Sequence, residues 1–302
     1  MSLAIETREL TKTYGRKARG IENVDLQVVP GEVFGFLGPN GAGKTTTIRV
    51  LLDFLHPTRG EARVFGMDSR KESVEIRARV GNLPGEFALE DKMTGEGMLR
   101  FFARLRGVKD LGYARELAER LDADLERPMR RLSRGNKQKI GLIQAMFHRP
   151  PLLILDEPTG GLDPLVQEEF LEIVREVRYE GRTVFFSSHV LSEVERVCDR
   201  VGIIRDGELV SVEPTEAMID KAFRHVKLTF AEPVDPKPFE ALPGVENFGT
   251  DGTNVSFTLH EGLDDVVKLA ARHRLVNLEY ERPSLEEIFL TFYGGSGEGE
   301  ER

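Results

Sequence analysis

Eight consecutive residues constrain this chain more than any others: Gly38, Pro39, Asn40, Gly41, Ala42, Gly43, Lys44 and Thr45. The apolar run Val33–Leu37 precedes them, and Lys44–Phe54 follows with a helical pattern. Strand, glycine-rich turn and helix in that order are the context that separates a phosphate-binding P-loop from a chance cluster of glycines. The glycines let the backbone wrap a phosphate with its N–H groups facing inward, and the helix N-terminus adds a partial positive charge at the same place. Lys44 is then placed to reach the β- and γ-phosphates of a nucleoside triphosphate and Thr45 to offer a hydroxyl to Mg²⁺, while Thr46 beside it belongs to the nucleotide-binding set.

A second constellation fits the first. Leu152-Leu153-Ile154-Leu155 is a buried-strand run that ends in Asp156 and Glu157. Two acids at the end of a buried strand are costly unless a cation or hydrogen bonds hold them. Beside a P-loop, Asp156 suits the Mg²⁺ shell, and Glu157 suits polarisation of an attacking water.

The fold expected around these motifs is α/β: apolar β-branched runs alternate with helical patterns, and Thr183–Ser187 is a third strand of the buried type. Between about residues 90 and 148 the strand pattern stops, and Glu96–Arg106, Tyr113–Leu121 and Asn136–His148 read as a helical insert. Arg205–Glu208 reads as a hairpin turn, and Glu213–Glu216 opens a short helix. These divisions give a nucleotide domain over residues 1–218, an accessory domain over 219–293 and a disordered Gly/Glu tail over 294–302. In the accessory domain the pattern is strand Val226–Phe230, helix Pro238–Leu242, strands Val245–Phe248 and Asn254–Leu259, helix Leu263–Arg272 and strand Leu275–Tyr280. A final helix is expected over Ser284–Phe292, opened by a Ser284/Glu287 capping box. That βαββαβ order is the order of an α+β ferredoxin-like unit.

Composition narrows the partners. A net charge of -9 argues against nucleic acid held on a basic face, and gives no attraction to anionic lipid. No run of 18 apolar residues is present and the N-terminus carries no secretory pattern, so any link to a membrane is expected through a protein partner. Cys198 is the single cysteine, which fits a reducing, cytosolic setting.

Across residues 3–212 the sequence resembles the ATP-binding-cassette (ABC) family. Leu132-Ser133-Arg134-Gly135-Asn136 is similar to that family's signature motif, which opens a helix and binds ATP held by a second subunit. The resemblance keeps Ser133 and Gly135 and departs at Arg134 and Asn136. It further implies a D-loop at Pro158–Asp163, with Asp163 organising contacts across a dimer. It also implies a switch histidine at His189 and an adenine-stacking aromatic at Tyr14. Gly85 stands where the family has a glutamine that contacts Mg²⁺ and water, and Glu86 is the candidate replacement.

What the resemblance implies is an ATPase that uses ATP and Mg²⁺, pairs with a second cassette as a homodimer, and works at the cytoplasmic face of the cell membrane. A separate transmembrane permease subunit would dock on the segment from Gly85 to about Gly107, through residues among Phe87, Leu89, Met93, Met98, Leu99, Phe101 and Phe102. The single cassette with its own C-terminal unit, including Pro283–Leu290, resembles bacterial exporters of drugs, antibiotics, lipids or polymers. The alternative is a soluble ABC-type ATPase acting on a non-membrane partner. Against it stands the presence of one cassette only, with no room for a long coiled coil between the nucleotide motifs.

Overall fold

The strand that feeds the glycine-rich turn, β3 (Val33–Leu37), has every residue buried and lies inside a parallel array. The protein's structure, a computed structural model, describes residues 2–15, 18–85, 92–221, 223–283 and 287. Glu86, Phe87 and Leu89, most of the expected final helix with Ser284 of its capping box, and the 294–302 tail lie outside those residues.

The chain forms two compact units, Met1–Pro214 and Thr215–Arg302. The division falls after Pro214, so helix α8 (Thr215–Lys221) opens the second unit, whereas the sequence reading carried the first as far as 218.

In the first unit a six-stranded sheet has the order β10-β9-β3-β8-β7-β6. Its remaining members are β6 (Val80–Leu83), β7 (Leu152–Asp156), β8 (Thr183–Ser188), β9 (Arg200–Arg205) and β10 (Glu208–Pro214). All neighbours run parallel except β10, which folds back antiparallel on β9. Because β3, β7 and β8 are buried along their whole length, they read as continuous apolar runs, as expected of parallel strands covered on both faces. Phe34 and Phe36 meet Phe185 at ring separations of 5.8 and 5.4 Å, locking β3 against β8. Fully burying each such side chain contributes about 1.5–3 kcal/mol.

A second, antiparallel sheet of order β2-β1-β4-β5 packs into the same core: β1 (Ile5–Tyr14), β2 (Ala18–Val28), β4 (Arg59–Val64) and β5 (Met67–Asp68). Helix α1 (Lys44–Leu51) follows the glycine turn, and α2 (Ser73–Arg79) leads into β6. The insert between β6 and β7 holds α3 (Gly95–Leu105), α4 (Gly112–Arg120), a 3-10 turn at Met129–Arg131 and α5 (Arg134–Met146). Met98, Met129, Leu132 and Ile140 form its own small core. Arg120 ties the insert to α6 (Pro164–Tyr179) through Glu169 and Glu176. Helix α7 (Leu191–Val197) connects β8 to β9.

The second unit places β11 (Arg224–Phe230), β12 (Val245–Asp251), β13 (Asn254–Leu259) and β14 (Leu275–Glu281) in an antiparallel sheet of order β12-β13-β11-β14. Helices α9 (Lys237–Glu240) and α10 (Leu263–Ala270) occupy the connections. Val226, Leu228 and Phe230 join Val255, Phe257, Leu259, Phe239 and Val266 in one cluster.

Candidate active site

Four adjacent strands, β3-β8-β7-β6, end at the same edge of the parallel sheet, and each delivers one part of the site. Ligand sites of open parallel sheets lie outside the carboxyl ends of the strands. The P-loop leaves β3, His189 follows β8, Asp156 and Glu157 close β7, and Gly85 lies just past β6.

The P-loop backbone is built for close approach. Gly41 and Gly43 have φ of 85° and 113°, and a side chain at Gly43 would meet Gly20 O at 2.8 Å. Pro39, Asn40 and Gly41 are exposed, while Gly38, Ala42 and Gly43 are buried under the turn. The Ala42 N–H donates to Pro39 O at 3.1 Å, and Gly43 O accepts the Thr47 N–H at 2.9 Å, so the loop closes directly onto α1. Lys44 is 5% exposed, and its Nζ donates to Gly38 O at 2.6 Å and Pro39 O at 3.2 Å.

Lys44 Nζ also stands 3.3 Å from Glu157 Oε1, and His189 Nδ1 lies 3.1 Å from Glu157 Oε2. The carboxylate is thus held between a buried ammonium and a half-exposed imidazole. Glu157 is not a continuation of β7: its φ of 49° turns the chain into the left-handed region. Its N–H donates to Ser187 O and Oγ, both at 3.2 Å.

Asp156 faces the other way. Its Oδ2 accepts from Thr45 Oγ1 at 2.7 Å and its Oδ1 from Ser187 Oγ at 2.5 Å. Asp156 is only 2% exposed, so both oxygens need those partners. A Cβ at Gly85 would lie 3.0 Å from Asp156 Oδ2, so the β6 end closes on the same carboxylate. Thr45, Arg49, Gly85, Arg134, Gln138, Asp156, Glu157 and Gly160 line one cavity of about 360 Å³.

Tyr14, at the end of β1, is 41% exposed and its hydroxyl lies 3.2 Å from Thr46 Oγ1, at the start of α1. The structure therefore brings Tyr14, residues 38–46, Asp156, Glu157 and His189 together.

Ser133, Gly135 and Asp163 form a neighbouring group. Ser133 is the N-cap of α5, accepting the Asn136 N–H at 3.2 Å, and Asp163 is the N-cap of α6, accepting the Val166 N–H at 3.1 Å. The two helix starts touch, since a Cβ at Gly135 would lie 2.5 Å from Gly161 O. Ser133 is exposed, while Arg134 and Gln138 of the same helix turn into the cavity. Two residues escaped the sequence reading. Gln138 carries no motif signature, and buried Glu193, accepting from Ser188 Oγ at 3.1 Å behind His189, reads as an ordinary helix-surface acid. Burial pushes the Glu193 carboxyl above its usual range.

A P-loop, a buried lysine and an acidic pair at the carboxyl edge of one parallel sheet define a nucleoside-triphosphate hydrolase. Comparison with known proteins makes the assignment narrower. The family model described as "ABC transporter" matches residues 21–160. A bacitracin transport ATP-binding protein of Bacillus licheniformis is 36% identical over 238 residues, covering 77% of this chain and 76% of the relative. Its namesake in Enterococcus faecalis is 31% identical over 98% of both chains. Among solved structures, the ATP-binding subunit of an ABC transporter superposes with a TM-score of 0.65 at 30% identity, covering 72% of this chain and 92% of that one. A dimeric ATP-binding cassette bound to ADP and Pi shares the fold, with a TM-score of 0.64 at 22% identity over 70% of this chain and 98% of that one. The chain belongs to the ABC transporter family, as its ATP-binding and ATP-hydrolysing subunit.

Proposed function

We propose that this chain is the motor of an exporter whose pore is a separate transmembrane permease, and that two copies close around two ATP molecules at the cytoplasmic face of the membrane. The observation that carries the chemical part is the Glu157 carboxylate, gripped by Lys44 and His189 with Thr45 and Asp156 directly behind it. In this reading Tyr14 stacks on adenine, and residues Gly38 to Thr46 cradle the phosphates. A triphosphate attracts the Lys44 ammonium away from Glu157 Oε1, freeing that oxygen to take a proton from the attacking water. His189 holds the other oxygen and orients the carboxylate. The products are ADP and phosphate.

The donor set fits Mg²⁺. Thr45 Oγ1 and Asp156 Oδ2, 2.7 Å apart in residues that line the cavity, are hard oxygens that would hold it. Mg²⁺ commonly takes few ligands from protein and the rest from phosphate and water. When bound it neutralises charge on the β- and γ-phosphates. Ser133 and Gly135, with Asp163 beside them, would complete the site of the second copy, which gives nucleotide a reason to favour the closed pair.

Docking to a permease is supported by a cavity of about 290 Å³ lined in part by Leu52, Phe54, Pro84, Phe102 and Arg106. Phe101 and Leu105 on α3 are 49% and 67% exposed, whereas Met98 and Leu99 belong to the core. Among the described residues no helix is long and apolar enough to cross a membrane. The cargo we read as a drug, antibiotic, lipid or polymer, and the two relatives named for bacitracin transport support that reading. The second unit we read as an accessory ferredoxin-like domain, on the strength of its strand and helix order.

Affinity capture of the full-length chain from gently solubilised native membranes tests the transport reading. A polytopic membrane protein in stoichiometric yield is expected. Recovery only from the soluble fraction, or with ribosomes or nucleic acid, would leave the ATPase chemistry in place and remove the permease.

A further inference from the structure

Gln138 ties together two parts of the site that lie on different elements. It sits in the second turn of α5, is 7% exposed, and its Nε2 donates to Glu157 O at 3.2 Å and to Pro158 O at 2.9 Å. Those are consecutive carbonyls just beyond the end of β7. Glu157 holds a left-handed backbone, φ 49°, which residues with a side chain seldom adopt. Such a conformation persists only where its surroundings over-determine it. Here the peptide N–H is fixed by Ser187 of β8, and the carbonyl takes the Gly160 N–H at 3.2 Å together with the Gln138 amide. Gln138 is the one side chain that reaches this carbonyl from α5 among the described residues. The first turn of that helix carries Ser133 at its cap and Gly135 packed on Gly161.

We propose that Gln138 is a positioning residue for Glu157. It sets where the carboxylate stands between Lys44 and His189 according to the placement of the α5 N-terminus. Contacts that Ser133 and Gly135 of one copy make with nucleotide on the other copy are thereby passed, within the same chain, to its own Glu157. The inference rests on the proposed roles of Glu157 as the water-polarising base and of Ser133 and Gly135 as contacts across the pair.

The test uses the full-length protein with Gln138→Glu and Gln138→Leu. The first keeps shape and replaces the amide donor by an acceptor facing two carbonyls; the second removes the donor. Steady-state ATPase rates against ATP concentration, affinity for a fluorescent ATP analogue and thermal melting are recorded, with both substitutions also placed in a Glu157→Gln background. Expected is an about tenfold fall in kcat with KM and analogue affinity near wild type, a Hill coefficient closer to one, and a lowered melting temperature with the protein still folded at the assay temperature. In the Glu157→Gln background the residual rate should not fall further, because a residue acting through Glu157 has nothing left to position. Wild-type kcat in both Gln138 variants beside an inactive Glu157→Gln protein overturns the positioning role alone. An equal rate loss in both backgrounds overturns it as well, by showing that the effect bypasses Glu157. A fully active Glu157→Gln protein removes the underlying reading of the base, and Gln138 with it.

Discussion

The two units use a sheet in opposite ways. In the first, β3, β7 and β8 are buried on both faces, and polar groups at the ends of β7 and β8 are held by a neighbouring strand or an adjoining helix. In the second, β11 alternates: Val226, Leu228 and Phe230 face the cluster, while His225, Lys227 and Thr229 face away. Its edge strand β14 is exposed along nearly its whole length. A sheet covered on both faces can fix charged groups at its rim, because nothing beneath them gives way. A sheet covered on one face spreads its polar groups over a surface and concentrates none of them.

The sharpest way to break that comparison is catalytic. Lys44→Ala and Glu157→Gln should each lower ATP turnover about a hundredfold or more, with Glu157→Gln still binding nucleotide. Lys227→Ala, which removes a 3.9 Å ion pair with Glu279, should leave turnover within about twofold. A comparable loss from Lys227→Ala would give the second unit a part in the chemistry. Next in size is the core. Phe185→Ala should destabilise its unit by about 3–5 kcal/mol in chemical denaturation, against about 1 kcal/mol for Leu278→Ala, at a residue 37% exposed on β14. Equal costs would mean that β14 is covered in solution.

Smaller again is the contact between the two helix starts. Gly135→Ala would set a Cβ 2.5 Å from Gly161 O, and an overpacked contact of this kind costs about 1–3 kcal/mol. Gly252→Ala meets nothing within 4 Å and should cost less, arising only from its φ of +64°. The last effect is one of pH. Burial, reinforced by Arg106 and Arg182, pushes the His148 imidazole down to about 4 from its ordinary 6.5. The unfolded chain therefore takes up a proton that the folded protein refuses, and stability is lost as pH falls from 6.5 towards 4. His148→Leu should flatten that part of a melting-temperature profile.

What was legible in the sequence follows the same division. Continuous apolar runs betrayed β3, β7 and β8, and alternation located β11 and β13, the latter with both ends placed at Asn254 and Leu259. The antiparallel sheet of β1, β2, β4 and β5 went unread because register shifts after Thr7, Leu10 and Lys12 break the two-residue period that would announce it. Helix α5 starts two residues before the expected Asn136, since Ser133 caps it. Helix α1 stops at Leu51, short of Phe54, where Asp53 turns left-handed. The P-loop and the acidic pair were legible because local spacing encodes them. Gln138 was not, because its partners are backbone carbonyls 19 and 20 residues away and no side-chain pattern records them.

The order of strands has a consequence for how the protein is made. Thr45 and its carboxylate partner Asp156 are 111 residues apart in the chain, and β3 acquires neither flanking strand until β8 and β9 have been synthesised. At about 5–20 residues per second, the P-loop leaves the ribosome several seconds before the acids that hold it. During that interval the most apolar strand of the sheet has both edges open, which is the condition that invites aggregation or a chaperone. Assembly of the motor is therefore a late event in translation, set by the last strands of the sheet to arrive.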